Sequence, residues 1–277
     1  MHIISATELR NQKDIVFVDA RSGPDAQKRF LDGHIPGAVH ADLDKDLADI
    51  KENAADGGRH PLPSPQQFAE WLGKVGITPD SHVVAYDDKS GANAAARFWW
   101  MLRALGHKNV QVVSGGMQAL QKNGWELSRD AFSPSPVAPY PIAEWQSPLA
   151  NINDVAAAAA DDGQLVIDVR EAYRYRGESE PIDKVAGHIP GAANLPYIEN
   201  LDAEGNFLPK EVLKEKYENF LNGLEPRQVT VHCGSGVTAC HTILALEEAG
   251  FSGAKLYVGS WSEWSRNDKP IATGDQR

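Results

Sequence analysis

The 277-residue chain is 42% hydrophobic and carries a formal net charge of −11, with a pI near 5.3, enough apolar material for one large packed domain or two ordinary ones. That acidity argues against binding nucleic acid or an anionic membrane surface by bulk electrostatics, so any anionic small-molecule partner needs a local basic pocket. Two cysteines are too few for a disulfide scaffold, the start MHIISATELRNQKD has polar and acidic residues where a signal peptide needs an apolar run, and no apolar run is long enough to span a bilayer, so a cytoplasmic location is expected, with a transit peptide removed ahead of this sequence as the alternative.

In chain order, SATELRNQ reads as a short helix and IVFVDA, over 15–20, as a strand whose continuous apolar character suits the centre of a parallel sheet. FLDGHIPGA follows over 30–38, then a short strand around Val39 and an irregular stretch over 53–65 rich in glycine and proline. Ser64-Pro65-Gln66-Gln67 predicts a helix start, with Ser as N-cap, Pro in the first turn and Gln closing a capping box. A strand over 82–86, a helix over 94–105 bearing Trp99, Trp100 and Leu102, and a strand over 110–113 complete the first half.

The stretch FSPSPVAPYP over 132–141 has prolines at 134, 136, 139 and 141, which exclude helix and favour an extended linker. The expected organisation is a domain over 1–131, a linker over 132–147 and a second domain over 148–277. In the second half a short alanine helix is expected with Asn153 as N-cap, then a strand over 165–169, GHIPGA again over 187–192, a strand over 229–232, a helix over 238–249 and a strand over 255–258. The order of the first half recurs with drifting spacing, the mark of an internal duplication. Strands alternating with helices make each half an α/β unit around a parallel sheet.

The chemistry concentrates in VTVHCGSGVTACHTILALEEAG over 229–250, a buried strand, a glycine turn and a helix, with Cys233 where strand becomes loop. Amides curling around such a turn at a helix start form a cup that favours an anion, and the nucleophilic form of cysteine is one. The alternative is a small buried core residue, the reading given to Cys240 two helical turns on. In the first half Ala-Tyr-Asp-Asp-Lys-Ser replaces Val-His-Cys-Gly-Ser-Gly, so Asp87 stands in the position of Cys233. A carboxylate cannot attack sulfur as a thiolate does, so the first domain is expected to be inactive by itself.

CGSGVTAC after a β-run resembles the active-site loop of the rhodanese superfamily, and CGSGVT resembles its branch that takes 3-mercaptopyruvate as sulfur donor. FLDGHIPGA, GHIPGA and YVGSWSEW over 257–264 extend the resemblance over nearly the whole chain. It implies two tandem rhodanese-like domains, each a parallel sheet flanked by helices, with the nucleophile in the C-terminal one. It also implies a reaction without metal or organic cofactor. The Cys233 thiolate takes sulfur from a small anionic donor, 3-mercaptopyruvate, releasing pyruvate and leaving a cysteine persulfide held by the loop from Gly234 through Gly236 and Val237 to Thr238. The outer sulfur then passes to a small thiol, a thioredoxin-like protein or cyanide. Scattered histidines and the absence of a CxxC spacing argue against zinc.

A substrate carboxylate calls for arginine, whose planar fork grips it bidentately. Arg170, Arg174 and Arg176 follow the strand ending at Asp168. The resemblance assigns the substrate to Arg174, against the alternative of surface charge around Tyr173 and Tyr175. The family's further arginine before GHIPG is missing between Gly177 and Gly187, and Lys184 is the expected replacement. Ser235 stands where thiosulfate-using rhodaneses carry a basic side chain, and a hydroxyl oriented by a base can protonate a substrate. The resemblance proposes His34 and Asp25 as its partners, although GHIPGA occurs in both halves, so His34 and His188 equally suit a turn-tying role. Asp19 and Asp168 are expected to fix loops, and Trp261 and Trp264 to pack as core or wall the pocket. A phosphatase of this fold needs an arginine six residues after the cysteine, where this chain has Ala239. Thiosulfate as donor, and a persulfide carrier that does not turn over, remain as alternatives.

Overall fold

Short β-branched runs buried on both faces pair in parallel when each is followed by a helix that returns the chain to the same sheet edge. The computed structural model describes residues 1–130, 132–141 and 144–276. Ala131, at the expected end of the first domain, Ile142 and Ala143 of the expected linker, and the terminal Arg277 lie outside the described residues. The first half contains β1 (Ile3–Ile4), α1 (Ala6–Leu9), β2 (Ile15–Asp19), α2 (Ala26–Asp32), β3 (Val39–His40), α3 (Pro65–Lys74), β4 (His82–Tyr86), α4 (Ala94–Ala104), β5 (Val110–Val113) and α5 (Gly116–Lys122). The second contains β6 (Leu149–Ala150), α6 (Ile152–Ala159), β7 (Leu165–Asp168), α7 (Ala172–Tyr175), β8 (Ala193–Asn194), α8 (Lys210–Leu221), β9 (Val229–His232), α9 (Thr238–Ala249), β10 (Lys255–Tyr257) and α10 (Ser260–Trp264).

The two five-stranded parallel sheets follow one plan, β1-β5-β4-β2-β3 and β6-β10-β9-β7-β8. The chain is thus an α/β protein with two tandem copies of one fold. It packs as two compact units, the first of residues 1–49, 62–147 and 203–207 and the second of 50–61, 148–202 and 208–277. The division is not sequential. The proline-rich stretch lies along the first unit, where Val137 N–H donates to the Gly73 carbonyl at 2.9 Å and Tyr140 N–H to that of Ala69 at 3.0 Å. Prolines keep this backbone extended, and the amides they leave find acceptors on α3. A Cβ at Gly73 would lie 2.9 Å from the Ala138 carbonyl oxygen, so glycine permits the approach.

Local signals act as read at Ser64, whose hydroxyl accepts from Gln67 N–H at 3.1 Å while the Gln67 side chain accepts from Ser64 N–H at 2.7 Å. The alanine helix begins earlier than expected. Asn151, not Asn153, is its N-cap, accepting from the amides of Asn153 and Asp154 at 2.8 and 3.1 Å.

Both units repeat one brace at the carboxyl edge of the sheet. Asp19 ends β2 and binds Arg21 at 2.6 Å, and the same guanidinium donates to the Gly33 carbonyl at 2.7 Å. Asp168 ends β7 and binds Arg170 at 2.5 Å, and Arg170 donates to the Gly187 carbonyl at 2.7 Å. Each Asp-x-Arg therefore pins the turn that opens GHIPGA. The histidine of each motif ties the same turn. His34 stacks on Phe30 at 4.1 Å and its ring nitrogens meet the carbonyls of Phe30 and Asp130; His188 stacks on Tyr175 at 3.7 Å and meets those of Tyr175 and Gln276.

At the end of β4 the first unit wraps its loop around a side chain of its own. The buried Asp87 carboxylate accepts from the amides of Lys89, Gly91, Asn93 and Ala95 at 2.9, 2.8, 3.0 and 3.1 Å. Burial raises its pKa above the ordinary carboxyl value even though four amides favour the ion. Asp87→Ala strands four inward-facing donors and is expected to cost about 1–3 kcal/mol in urea unfolding; an unchanged midpoint would show that the carboxylate does not organise this loop.

Candidate functional site

The buried strand β9 delivers Cys233 to a turn that must reverse into α9 within a few residues. Gly236 makes that possible: its φ is +74°, and a Cβ there would lie 2.6 Å from the Val258 carbonyl oxygen. The segment 259–264 laces the turn from behind. Cys233 N–H donates to Ser260 Oγ at 3.2 Å, while the amides of Trp261 and Ser262 donate to the carbonyls of Cys233 and Gly234 at 3.0 and 2.9 Å. Among the described residues, the amides of Gly234, Ser235 and Val237 have no hydrogen-bond acceptor. Trp261 and Trp264 are buried in the core cluster with Val155, Val166 and Ile189. Cys240 is buried too, its Sγ 3.3 Å from the Gly236 carbonyl. Cys233 itself is buried, 2% exposed.

Two residues from the irregular stretch 50–61, which packs as part of the second unit, address this turn directly. His60 Nδ1 lies 2.8 Å from Ser235 Oγ. Arg59 spans Asp183 through Nε and Nη2 at 3.2 and 3.4 Å, and a Cβ built on Gly234 would lie 3.0 Å from Arg59 Nη2 and 3.5 Å from Arg174 Nη2. Both guanidiniums thus lie over the residue next to the thiol.

The sequence-based assignments divide against this geometry. Arg174 is at the turn, buried, with Nε and Nη2 on Glu180 at distances down to 2.7 Å. Arg170 serves as a brace rather than a substrate cation: its side chain is 1% exposed, binds Asp168, Glu180 and the Gly187 carbonyl and covers the Trp261 ring at 4.7 Å, whereas the atoms nearest a Cβ on Gly234 belong to Arg59 and Arg174. Lys184 is exposed and forms no hydrogen bond or ion pair with a described residue, so the second cation over the turn is Arg59 instead. His34 does not orient Ser235: its ring is spent on carbonyls of its own unit, and His60 holds the hydroxyl. Asp25 sits in an exposed pair with Arg29 on its own helix at 3.1 Å.

The network has a definite charge state. Burial opposes ionisation of Asp168, but Arg170 and its hydrogen bonds prevail and hold the carboxyl below its ordinary range. Glu180 behaves likewise, with burial outweighed by Arg174 and by the amides of Asp183 and Ile182. Burial pulls His232 down despite Asp168, so this neighbour of Cys233 is neutral near pH 7. Among the described residues no three His, Cys, Asp or Glu side chains converge to hold a metal ion, and no helix is long and apolar enough to cross a membrane.

Comparison with known proteins places this geometry in context. The model of the rhodanese-like domain matches residues 5–123 and 152–267. A probable 3-mercaptopyruvate sulfurtransferase of Pseudomonas aeruginosa is 41% identical over 274 residues, covering 96% of this chain and 94% of the relative. A putative thiosulfate sulfurtransferase of Mycobacterium tuberculosis is 37% identical, covering 91% and 87%. The solved 3-mercaptopyruvate sulfurtransferase of Leishmania major superposes with a TM-score of 0.84 at 29% identity, over 95% of this chain and 74% of that one.

Carboxyls whose pKa is depressed by folding stabilise fully above their unfolded values, about 3.9 for Asp and 4.3 for Glu, and lose that contribution as pH falls through the folded ones. Because Asp168 and Glu180 are both depressed, their contribution to the thermal midpoint is expected to hold from neutrality to about pH 5 and to drain below about pH 4. Asp168→Asn should flatten that acid limb in a calorimetric pH series, and an unchanged limb would contradict the assignment.

Proposed function

This chain belongs to the rhodanese family, and on that premise we propose that it is a 3-mercaptopyruvate sulfurtransferase working through a persulfide on Cys233. The Cys233 thiolate attacks the sulfur of 3-mercaptopyruvate and forms an S–S bond; the C–S bond breaks and its electron pair leaves on pyruvate as the enolate. The proton on the donor's sulfur balances the step, since the persulfide sheds it and the enolate takes one up to become pyruvate. In the second half-reaction the outer sulfur passes to a thiol or to cyanide, giving a new persulfide or thiocyanate and returning the Cys233 thiolate. A small thiol or a thioredoxin-like protein of the reducing cytoplasm suits this step, and neither half-reaction needs a metal or organic cofactor.

The observation that carries the choice of donor is the 2.8 Å contact between Ser235 Oγ and His60 Nδ1. Expelling an enolate leaves charge on oxygen and carbon that a hydroxyl backed by an imidazole can meet with a hydrogen bond and a proton. Expelling sulfite from thiosulfate requires no proton at carbon, so a hydroxyl–imidazole pair has less to do there. Relatives carry both names, and this pair favours 3-mercaptopyruvate. The amides of Gly234, Ser235 and Val237 support the reading as an anion cup for the persulfide.

Ser235→Ala and His60→Ala are each expected to lower kcat for 3-mercaptopyruvate by about 100-fold while changing thiosulfate turnover little, and Ser235→Lys should shift preference toward thiosulfate. Equal losses on both donors would contradict the proton-supplying role.

A further inference from the structure

The sequence lacks the arginine expected ahead of the second GHIPGA, yet two guanidiniums still meet over Gly234. We propose that Arg59 is a specificity-determining residue that completes, with Arg174, a two-cation clamp for the carboxylate of the sulfur donor. The inference rests on the sulfur-transfer reading and adds to it the residue that selects an acid over a neutral donor.

Arg59 is placed by its backbone. Gly57 N–H donates to Glu263 Oε1 and Arg59 N–H to Ser262 Oγ, both at 3.0 Å, and Asn267 donates to the Ala55 carbonyl at 2.9 Å. Gly58 presses so close that a Cβ would lie 2.4 Å from the Gly259 carbonyl oxygen, with φ at +83°. This strap is fastened to the segment that also holds Cys233 and Gly234 from behind, so residues 59 and 60 are presented to the turn as a unit: the arginine toward Gly234, the histidine toward Ser235.

Three buried carboxylates serve the four guanidiniums gathered around the turn. Asp183 faces Arg266 at 2.8 Å, Arg59 at 3.2 Å and Arg174 at 3.8 Å, and Glu180 is shared between Arg170 and Arg174. Four guanidiniums therefore draw on the buried carboxylates of Asp168, Glu180 and Asp183, while the partner that brings the charges to parity, Glu171, is partly exposed and 3.5 Å from Arg174, so it can give way to a competing carboxylate. Arg59 and Arg174 each use the Nε/Nη2 edge on their carboxylate. Arg59 is the more exposed, with 26% of its side chain accessible against 7% for Arg174. A nearly buried cation beside a more accessible one suits a clamp that a donor enters from the side of Arg59.

The test compares 3-mercaptopyruvate with mercaptoacetone, in which a methyl replaces the carboxylate, for wild type, Arg59→Gln and Arg59→Lys. Arg59→Gln is expected to lower kcat/KM for 3-mercaptopyruvate by about 10- to 100-fold, mostly through KM, and to leave mercaptoacetone within about twofold. Arg59→Lys should restore part of the loss, because an ammonium keeps the charge without the fork. Equal losses on both donors, or no loss on 3-mercaptopyruvate, would overturn the inference. If wild type itself released no pyruvate, the sulfur-transfer reading would fall and this inference with it; wild-type release with an unaffected Arg59→Gln would remove only the clamp.

Discussion

The turn between β9 and α9 cannot be relaxed, and the site is built on that constraint. With Gly236 pressed on the Val258 carbonyl, the chain has no room for a side chain at that point, and the thiol is delivered at the start of the turn, level with the carboxyl edge of the sheet. This edge is where parallel α/β sheets gather the loops that do chemistry. The first unit makes the equivalent turn and closes it around Asp87, whose carboxylate occupies the amides itself. One device thus exists in two versions, one saturated from within and the other opening on Cys233 with the amides of Gly234, Ser235 and Val237 unoccupied by any described residue.

A second constraint is electrostatic. The guanidiniums of this acidic chain are concentrated at one turn, and a buried guanidinium is tolerable only with a carboxylate beside it. Asp168, Glu180 and Asp183 fill that role, each gripping arginines that would otherwise bear the full cost of desolvation. The same pairs fix where the guanidiniums point. Arg170 is thereby turned into a brace for the Gly187 turn, while Arg174 stays over Gly234 in the turn after Cys233.

The fold was legible because its signals are local. The apolar strands, the Ser64 capping box and the β9–turn–α9 sequence each depend on residues within a helical turn or two, and the duplication shows in the order of motifs. The site was legible only where it is contiguous: Cys233, Ser235 and the glycines lie in one hexapeptide. His60 and Arg59 were missed because the contact between His60 and Ser235 spans 175 positions, and no periodicity encodes an encounter between two loops. The paired glycines before Arg59-His60-Pro61 are the one hint, since consecutive glycines permit the close approach that Gly58 makes. His34 drew attention through a motif that recurs, and the recurrence itself pointed to the structural role that both histidines fill.

The central claim, a sulfur atom carried on Cys233, is tested most directly by intact mass spectrometry of the protein incubated with 3-mercaptopyruvate in the absence of acceptor. The account predicts a gain of one sulfur atom by wild type, its loss on adding cyanide or a thiol, and no gain by Cys233→Ser. A sulfur adduct that persists in Cys233→Ser, or a wild type that turns over donor without ever gaining the mass, would contradict it.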